Sequence, residues 1–325
     1  MYTQQRFVLM ALDPVHIGTG GYRLGRVDLS IAREPGTNLP KIPGTSLAGA
    51  TRSYAALRYE RPQCAGQGGG EQKHCGERSC PICYTFGHVR GTEGGNAGAV
   101  SLADAQLLLC PVHSMAGPVW VSTAGRLTEA GFTVRHATEG ATTGQTFPTL
   151  LRGECATTLK NSQNQPWSQP LNLGWLLLTV SPGAPAVTAP ALCKLPDTPA
   201  WQAVEKKLVL VEEGLFSQIV NSNLEVRTSV SIDPHTGAAK DGALFTYEAL
   251  PRASWLWCDV VEDNYRERRE PFPKDDPKAK ELGHECPLAV VKAGLSLAEY
   301  LGIGGMGTRG FGRIKLLDDW EVSHA

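Results

Sequence analysis

The sequence has no excess of charge of either sign: 31 Lys and Arg stand against 32 Asp and Glu, a formal net charge of −1 over 325 residues. Bulk attraction to a polyanion therefore carries no argument, and any nucleic-acid contact has to rest on local patches. No uninterrupted apolar run approaches the length of a membrane span. The N-terminus, Met1-Tyr-Thr-Gln-Gln-Arg6, lacks a basic segment followed by a long apolar stretch, so no signal peptide is read. A cytoplasmic protein without a membrane partner is expected. No internal repeat is evident. What is present is an ordinary globular composition, 42% hydrophobic and 19% charged, in a length that suits one large domain or two ordinary ones.

Nine cysteines are an odd number, and five of them (Cys110, Cys155, Cys193, Cys258, Cys286) are scattered singly. Several lie in apolar strand-like runs, where a free cysteine behaves as a small hydrophobe, so all five are expected in the core. The other four, Cys64, Cys75, Cys80 and Cys83, are clustered, with His74 and His88 nearby. In a cytosolic chain this spacing reads as a metal site before a disulfide framework. Four thiolates suit tetrahedral Zn2+ in a closed, structural site, with unliganded thiols as the alternative. Thioredoxin-like redox chemistry lacks its flanking βαβ pattern.

Along the chain, Arg6–Asp13 reads as a first strand. A helix beginning near Gly44-Thr-Ser46 is expected to be capped by a hydroxyl and to carry an apolar stripe of Leu47, Ala50, Tyr54 and Leu57. Ala99–Val112 reads as one long buried strand, Val119–Val121 as another, and Leu173–Leu178 as a strand within the poorly patterned stretch 138–200. Asn223–Ile232, the turn Asp233-Pro-His-Thr-Gly237 and Gly242–Tyr247 read as a protruding β-hairpin, because proline presets φ and glycine supplies positive φ. Trp255–Val261 is a further strand, Glu262–Lys280 a solvated loop, and Pro287–Leu301 a helix with Leu288, Val291, Leu295 and Ala298 at helical spacing. Short strands with few helices indicate an α+β fold rather than a doubly wound parallel sheet.

Six glycines fall within the eleven residues Gly302–Gly312. Gly302, Gly304 and Gly307 spell G-x-G-x-x-G, but the dinucleotide fingerprint follows a strand and opens a helix, whereas this loop closes a helix and opens a strand. A glycine-rich backbone beside Arg309, Arg313 and Lys315 suits a polyanion lying across it.

His16-Ile-Gly-Thr-Gly20, Val27-Asp28, Ile42-Pro-Gly-Thr-Ser-Leu47 and the terminal glycine loop together resemble the RAMP superfamily of CRISPR proteins. The segments Ala97–Ser114 and Ser231–Pro251 are similar to stretches of the type III-B (Cmr) backbone subunits. The similarity runs over nearly the whole chain and is weakest at 138–200. It implies one RAMP domain over residues 1–325, of the α+β class with an RRM-like, ferredoxin-like core. That domain would carry a cysteine-rich zinc-binding insertion at 61–96, a β-hairpin thumb at about 215–250 and the glycine-rich loop at 302–312. The insertion departs from the shorter members of the family.

The resemblance further implies that copies of the chain stack along a CRISPR guide RNA with the other subunits of a Cmr effector complex. Each thumb would pass through the guide–target duplex at regular intervals, and target RNA would be cut beside it by an acidic residue in the loop after the first strand. That residue matches Asp28, with His16, Tyr247 and Glu248 as further participants. Guide contacts are expected from Arg23, Arg26, Ser46, Arg52, Gly304, Gly305, Gly307, Arg309 and Arg313. A carboxylate such as Asp28 can hold Mg2+ or act as a base, and one acid with few helpers predicts a slow nuclease. The plain alternative for Asp28 is a loop aspartate satisfying nearby amides. Three rival functions stay open: a spine that only grips the guide, a metal-independent guide-processing nuclease relying on His16 or a tyrosine, and, more remotely, a nucleotide-dependent enzyme.

Overall fold

The computed structural model describes residues 2–20, 27–66, 74–89, 94–137, 149–240, 242–263 and 271–322. The chain divides into two compact units, one formed by Met1–Ile17, Ile42–Gln106 and Trp257–Ala325, the other by Gly18–Lys41 and Leu107–Leu256. Both mix helix and antiparallel strand, as the α+β expectation requires.

In the first unit the N-terminal strand Tyr2–Ala11 pairs antiparallel with the C-terminal strand Ile314–Glu321, from Gln5 opposite Glu321 to Ala11 opposite Ile314, with a bulge at Val8/Leu9. On its other side lies Trp255–Asp263, which pairs in turn with Val100–Leu102. Phe7, Val8 and Leu9 are all fully buried, so both faces of the central strand are covered. Helix Gly44–Arg58 packs on helix Pro287–Leu301 at Gly294, where any Cβ would run into the Thr51 carbonyl. The helix at Pro287–Leu301 has the limits its apolar spacing indicates.

Several expectations for this unit are corrected. No hydroxyl caps helix Gly44–Arg58; the Asp104 carboxylate accepts from the Gly44 amide instead, at 2.8 Å. That acid sits in a break, so Ala99–Val112 is two strands, Val100–Leu102 and Ala105–Ser114. The buried stripe of the helix is Leu47, Thr51 and Ala55, one residue round from the expected set, and Leu57 is exposed. Within the expected loop Glu262–Lys280, Asp276 caps a short helix, Pro277–Leu282, and Phe272 is buried. Cys286 is half-buried at the head of helix Pro287–Leu301, while the other four scattered cysteines are buried as expected.

In the second unit the strands run in the order Leu171–Leu173, Leu176–Val180, Glu154–Thr157, Leu208–Val211, Gly117–Ser122 and the distal part of Ala105–Ser114. The expected strand Leu173–Leu178 is thus a hairpin, turned at Gly174 with φ 65°. A second small sheet pairs Thr133–Ala137 with Ala184–Thr188. Phe132 stacks on Trp201 with ring centroids 5.1 Å apart, and Trp201 meets Trp255 at 6.0 Å, which forms an aromatic centre for this unit. Helix Glu213–Ser222 leads into an antiparallel hairpin, Glu225–Ser229 against Phe245–Ala249, whose turn at Asp233–Gly237 is held by the Asp233 carboxylate and the positive φ of Gly237.

Candidate functional site

The hairpin and the loop around Asp28 are stitched together. Leu29 forms a parallel bridge with Tyr247; its amide donates to the Thr246 carbonyl at 3.0 Å, and the Glu248 amide donates to the Leu29 carbonyl at 3.2 Å. This short third strand sets Asp28 beside Thr246, 218 positions away in sequence. Asp28 Oδ2 accepts from the Thr246 amide at 2.6 Å and from its hydroxyl at 2.9 Å, and the Asp28 amide donates back to Thr246 Oγ1 at 3.1 Å. These donors, the backbone amide first, hold the exposed carboxyl below the usual carboxylate range, so it is ionised at neutral pH. Among the described residues only one of its two oxygens is engaged.

Glu248 is buried, and its Oε1 accepts from the Ile31 amide at 3.0 Å and from Arg33 Nη1 at 2.6 Å. Arg33 also donates to the Ile31 carbonyl and to Asn221 Oδ1. Glu248 therefore fastens the loop to the hairpin and is spent on that task. Tyr247 is 3% exposed, with its hydroxyl accepting from Ser229 Oγ at 3.2 Å across the hairpin. The second unit thus joins Asp28, Tyr247 and Glu248, whereas His16 belongs to the first. Sequence reasoning missed Thr246 and Arg33; nothing local in the chain pairs either with its partner.

In the first unit the glycine loop folds back on the residues after the first strand. The Gly305 amide donates to the His16 carbonyl at 2.9 Å, the Gly312 amide to Pro14 and the Ile303 amide to Gly312. Gly304, at φ 91°, could not carry a Cβ, which would lie 2.5 Å from the His16 carbonyl oxygen. His16 is 5% exposed, with its ring 3.4 Å from where a Gly305 Cβ would stand. Tyr54 donates to the Gly302 carbonyl. Two of the three glycines expected to cradle RNA, Gly304 and Gly305, are therefore occupied by protein backbone. Gly307 differs, for a Cβ there would meet nothing within 4 Å. Arg313 is paired with Asp13 at 2.5 and 3.1 Å, and Arg309 lies in the exposed turn Gly307–Arg309. Ser46 is half-buried in the first helical turn. Arg23 and Arg26 lie outside the described residues.

The four clustered cysteines converge. Their sulfurs lie within 4.8 Å of one another, with Cys64–Cys75 at 3.3 Å, Cys75–Cys83 at 3.6 Å, Cys64–Cys83 at 3.7 Å and Cys64–Cys80 at 3.8 Å. None of the nine cysteines forms a disulfide. A tetrahedron with metal–sulfur bonds of about 2.3 Å has edges of about 3.8 Å, so the donor set fits a metal ion. Hydrogen bonds from Cys64 and Cys83 pull the Cys80 thiol down, while Cys64 is pushed up to about 12, first by its bond to Cys80. A metal ion bound there would displace thiol protons, so its affinity would rise with pH. His74 stands outside the ligand set, its Nδ1 accepting from the Val89 amide.

Arg52, expected on a phosphate, faces this cluster instead. Its Nε donates to the Cys64 carbonyl at 2.8 Å and its Nη1 to the carbonyls of Gly87 at 2.8 Å and Phe86 at 3.3 Å. It thereby ties the turn that bears Cys64 to the end of the short helix Pro81–Phe86 that bears Cys83. Burial lowers its pKa and the four thiols, Cys83 first, oppose that shift.

With this geometry in place, the family can be read directly. The RAMP superfamily model matches residues 8–315. The chain belongs to the RAMP superfamily. A curated relative, the CRISPR system Cmr endoribonuclease Cmr4 of Pyrococcus furiosus, is 25% identical over 309 residues, covering 95% of this RAMP chain and 93% of the relative. The fold of this chain is shared by a chain of the type III-B Cmr-beta complex bound to cognate target RNA, with a TM-score of 0.60 at 15% identity over 96% of each chain. It is shared also by oligomeric Cmr4 from Pyrococcus furiosus, with a TM-score of 0.55 at 18% identity over 99% of this chain and all of the other. No helix among the described residues of this RAMP protein is long and apolar enough to cross a membrane.

Proposed function

We propose that the chain is a guide-RNA-binding backbone subunit of a type III-B effector complex and that it cuts guide-complementary target RNA beside its hairpin, with Asp28 as the acting acid. The observation that carries this reading is the ionised Asp28 carboxylate, fixed at the foot of a protruding hairpin with one oxygen uncommitted among the described residues. The hairpin exposes Val230, Ile232 and Leu244, apolar side chains suited to entering a base stack. The likeness to Cmr4 and to an RNA-bound Cmr complex supports the choice of partners: a guide RNA, a target RNA, further copies of the chain in a stack and other Cmr subunits.

Cleavage of RNA by its own 2′-hydroxyl forms the P–O2′ bond and breaks P–O5′. A displaced base lets the backbone swing so that these bonds fall in line, and much of the rate comes from that positioning. A carboxylate held below its ordinary range is a weak base at neutral pH, which argues against Asp28 as the proton acceptor. It suits a ligand for Mg2+, an ion that takes one or two carboxylates and completes its shell with water and substrate phosphate. Bound there, the ion would supply charge neutralisation at the reacting phosphate. His16 is buried against the glycine loop of its own unit, which argues against it as a solvent-accessible general base. In the cysteine cluster the soft, buried, closed donor set points to structural Zn2+. An RNA-guided role and free thiols together fit the cytoplasm.

A second reading, a spine that grips the guide and does not cut, is favoured by one observation. Asp28 satisfies the Thr246 amide and hydroxyl, which is the work of an ordinary loop aspartate. The reconstituted complex with guide-matched RNA separates the two. Loss of cleavage in Asp28→Ala with assembly intact, and dependence on Mg2+ in the wild type, support the first. Unchanged cleavage in Asp28→Ala leaves only the spine.

A further inference from the structure

We infer that Thr246 is a positioning residue for Asp28, so that the acid is aimed by the hairpin rather than by its own loop. This inference rests on the cleavage role proposed for Asp28 and asks what orients it. The contact is reciprocal: Thr246 gives Asp28 Oδ2 two donors, from its amide and its hydroxyl, and Thr246 Oγ1 takes the Asp28 amide in return. One residue thus fixes both the side chain and the backbone of the acid. Two donors on the same oxygen leave the carboxylate little freedom to rotate and direct its other oxygen away from Thr246.

The neighbouring contacts give this clamp its meaning. Thr246 stands between Phe245 and Tyr247 on the second strand of the hairpin, paired with Thr228 on the first. Leu29 bridges Tyr247, and Glu248, on the same strand, accepts from the Ile31 amide and pairs with Arg33. Three consecutive hairpin residues therefore hold residues 28–33, and Asp28 travels with the hairpin. When the hairpin seats in a duplex and displaces a base, the carboxylate arrives at the freed phosphate in a set orientation. Thr246 needs no contact with RNA for this role. Among the described residues of the loop none supplies the same restraint, and the Thr19 hydroxyl meets Ser30 rather than Asp28.

Thr246→Val keeps the branched shape and the amide donor and removes only the hydroxyl, whereas Thr246→Ser keeps the hydroxyl. In the reconstituted complex with guide-matched RNA and Mg2+, single-turnover cleavage by Thr246→Val is expected to fall about 10²-fold, the cost of misplacing a catalytic group by about 1 Å. Target affinity and complex assembly should stay within about twofold of wild type, and Thr246→Ser should recover the rate to within about threefold. A Thr246→Val complex that cuts at the wild-type rate, while Asp28→Ala cuts nothing, overturns the inference and leaves the role of Asp28 standing. Loss of target binding or assembly in parallel with rate, without rescue by serine, also overturns it, because the hydroxyl would then be serving only the fold. Wild-type cutting by Asp28→Ala removes the role itself and the inference with it.

Discussion

The cysteine cluster and the Asp28 clamp both gather donors from distant parts of the chain, and they differ in what is left over. At the cluster, four soft donors turn toward one another, three of them buried and the fourth half-buried, so a bound metal would have its coordination filled by protein. At Asp28, one hard donor is exposed, with one oxygen engaged by Thr246 and the other, among the described residues, open. Saturation goes with folding energy and vacancy with chemistry. Arg52 makes the contrast concrete, because an arginine that could have met a phosphate is used to lace the closed site together.

Removing the metal should have the largest effect on the fold. Cys83→Ser, or treatment of the wild type with a strong chelator, is expected to lower stability by on the order of 4 kcal/mol or more, read by thermal unfolding. The two treatments should not add, since each removes the same site. An unchanged melting temperature in both would mean that the cluster is a set of plain buried thiols, and the comparison with Asp28 would lose its closed half. The scattered cysteines provide the control. Burial pushes Cys110 and Cys258 up to about 12, so they should resist thiol-alkylating reagents at neutral pH in the folded protein, with or without metal.

Arg52→Met comes next. It deletes hydrogen bonds from a charged donor to the Cys64, Phe86 and Gly87 carbonyls, and a loss of about 2–3 kcal/mol is expected by denaturant unfolding. The same variant sharpens the boundary between the two sites. If Arg52 contacted a phosphate, its removal would reduce the salt dependence of guide binding by about one unit of slope. Arg52→Met should leave that slope where it is. A reduced slope with normal stability would return Arg52 to the RNA side.

What the sequence made legible follows from the range over which each signal acts. The helix Pro287–Leu301 and the turn at Asp233–Gly237 are written in local spacing and turn chemistry, and both form where they are read. The four cysteines are legible because thiols at metal-ligand spacing have few other uses. The family motifs marked Asp28, but its partner was invisible, since a threonine between two aromatics in a strand carries no mark of a carboxylate 218 positions earlier. Arg52 shows a related limit: on a bare helix its charge reads as solvent-facing, and only the fold shows carbonyls converging on it. Gly44–Arg58 was read one residue out of phase because Thr51, polar by type, packs inward against Gly294.

The smallest effect concerns the glycine loop, which repeats the closed and open contrast within a few residues. Gly304 is closed: at φ 91° with the His16 carbonyl oxygen 2.5 Å from any Cβ, Gly304→Ala must move backbone, and a loss of about 2 kcal/mol is expected. Gly307 is open, with nothing within 4 Å of a Cβ and no positive φ, so Gly307→Ala should change stability by less than about 0.5 kcal/mol. If the open face of this loop is where guide backbone lies, the added methyl would hold the phosphate away from the main chain. Guide binding should then weaken by roughly 1 kcal/mol, about one hydrogen bond, in a protein that melts like the wild type. Equal guide binding by Gly307→Ala and wild type would show that the glycines serve only the close packing of this loop on Pro14–Ile17. The RNA would then have to be held by side chains such as Arg309 rather than by backbone.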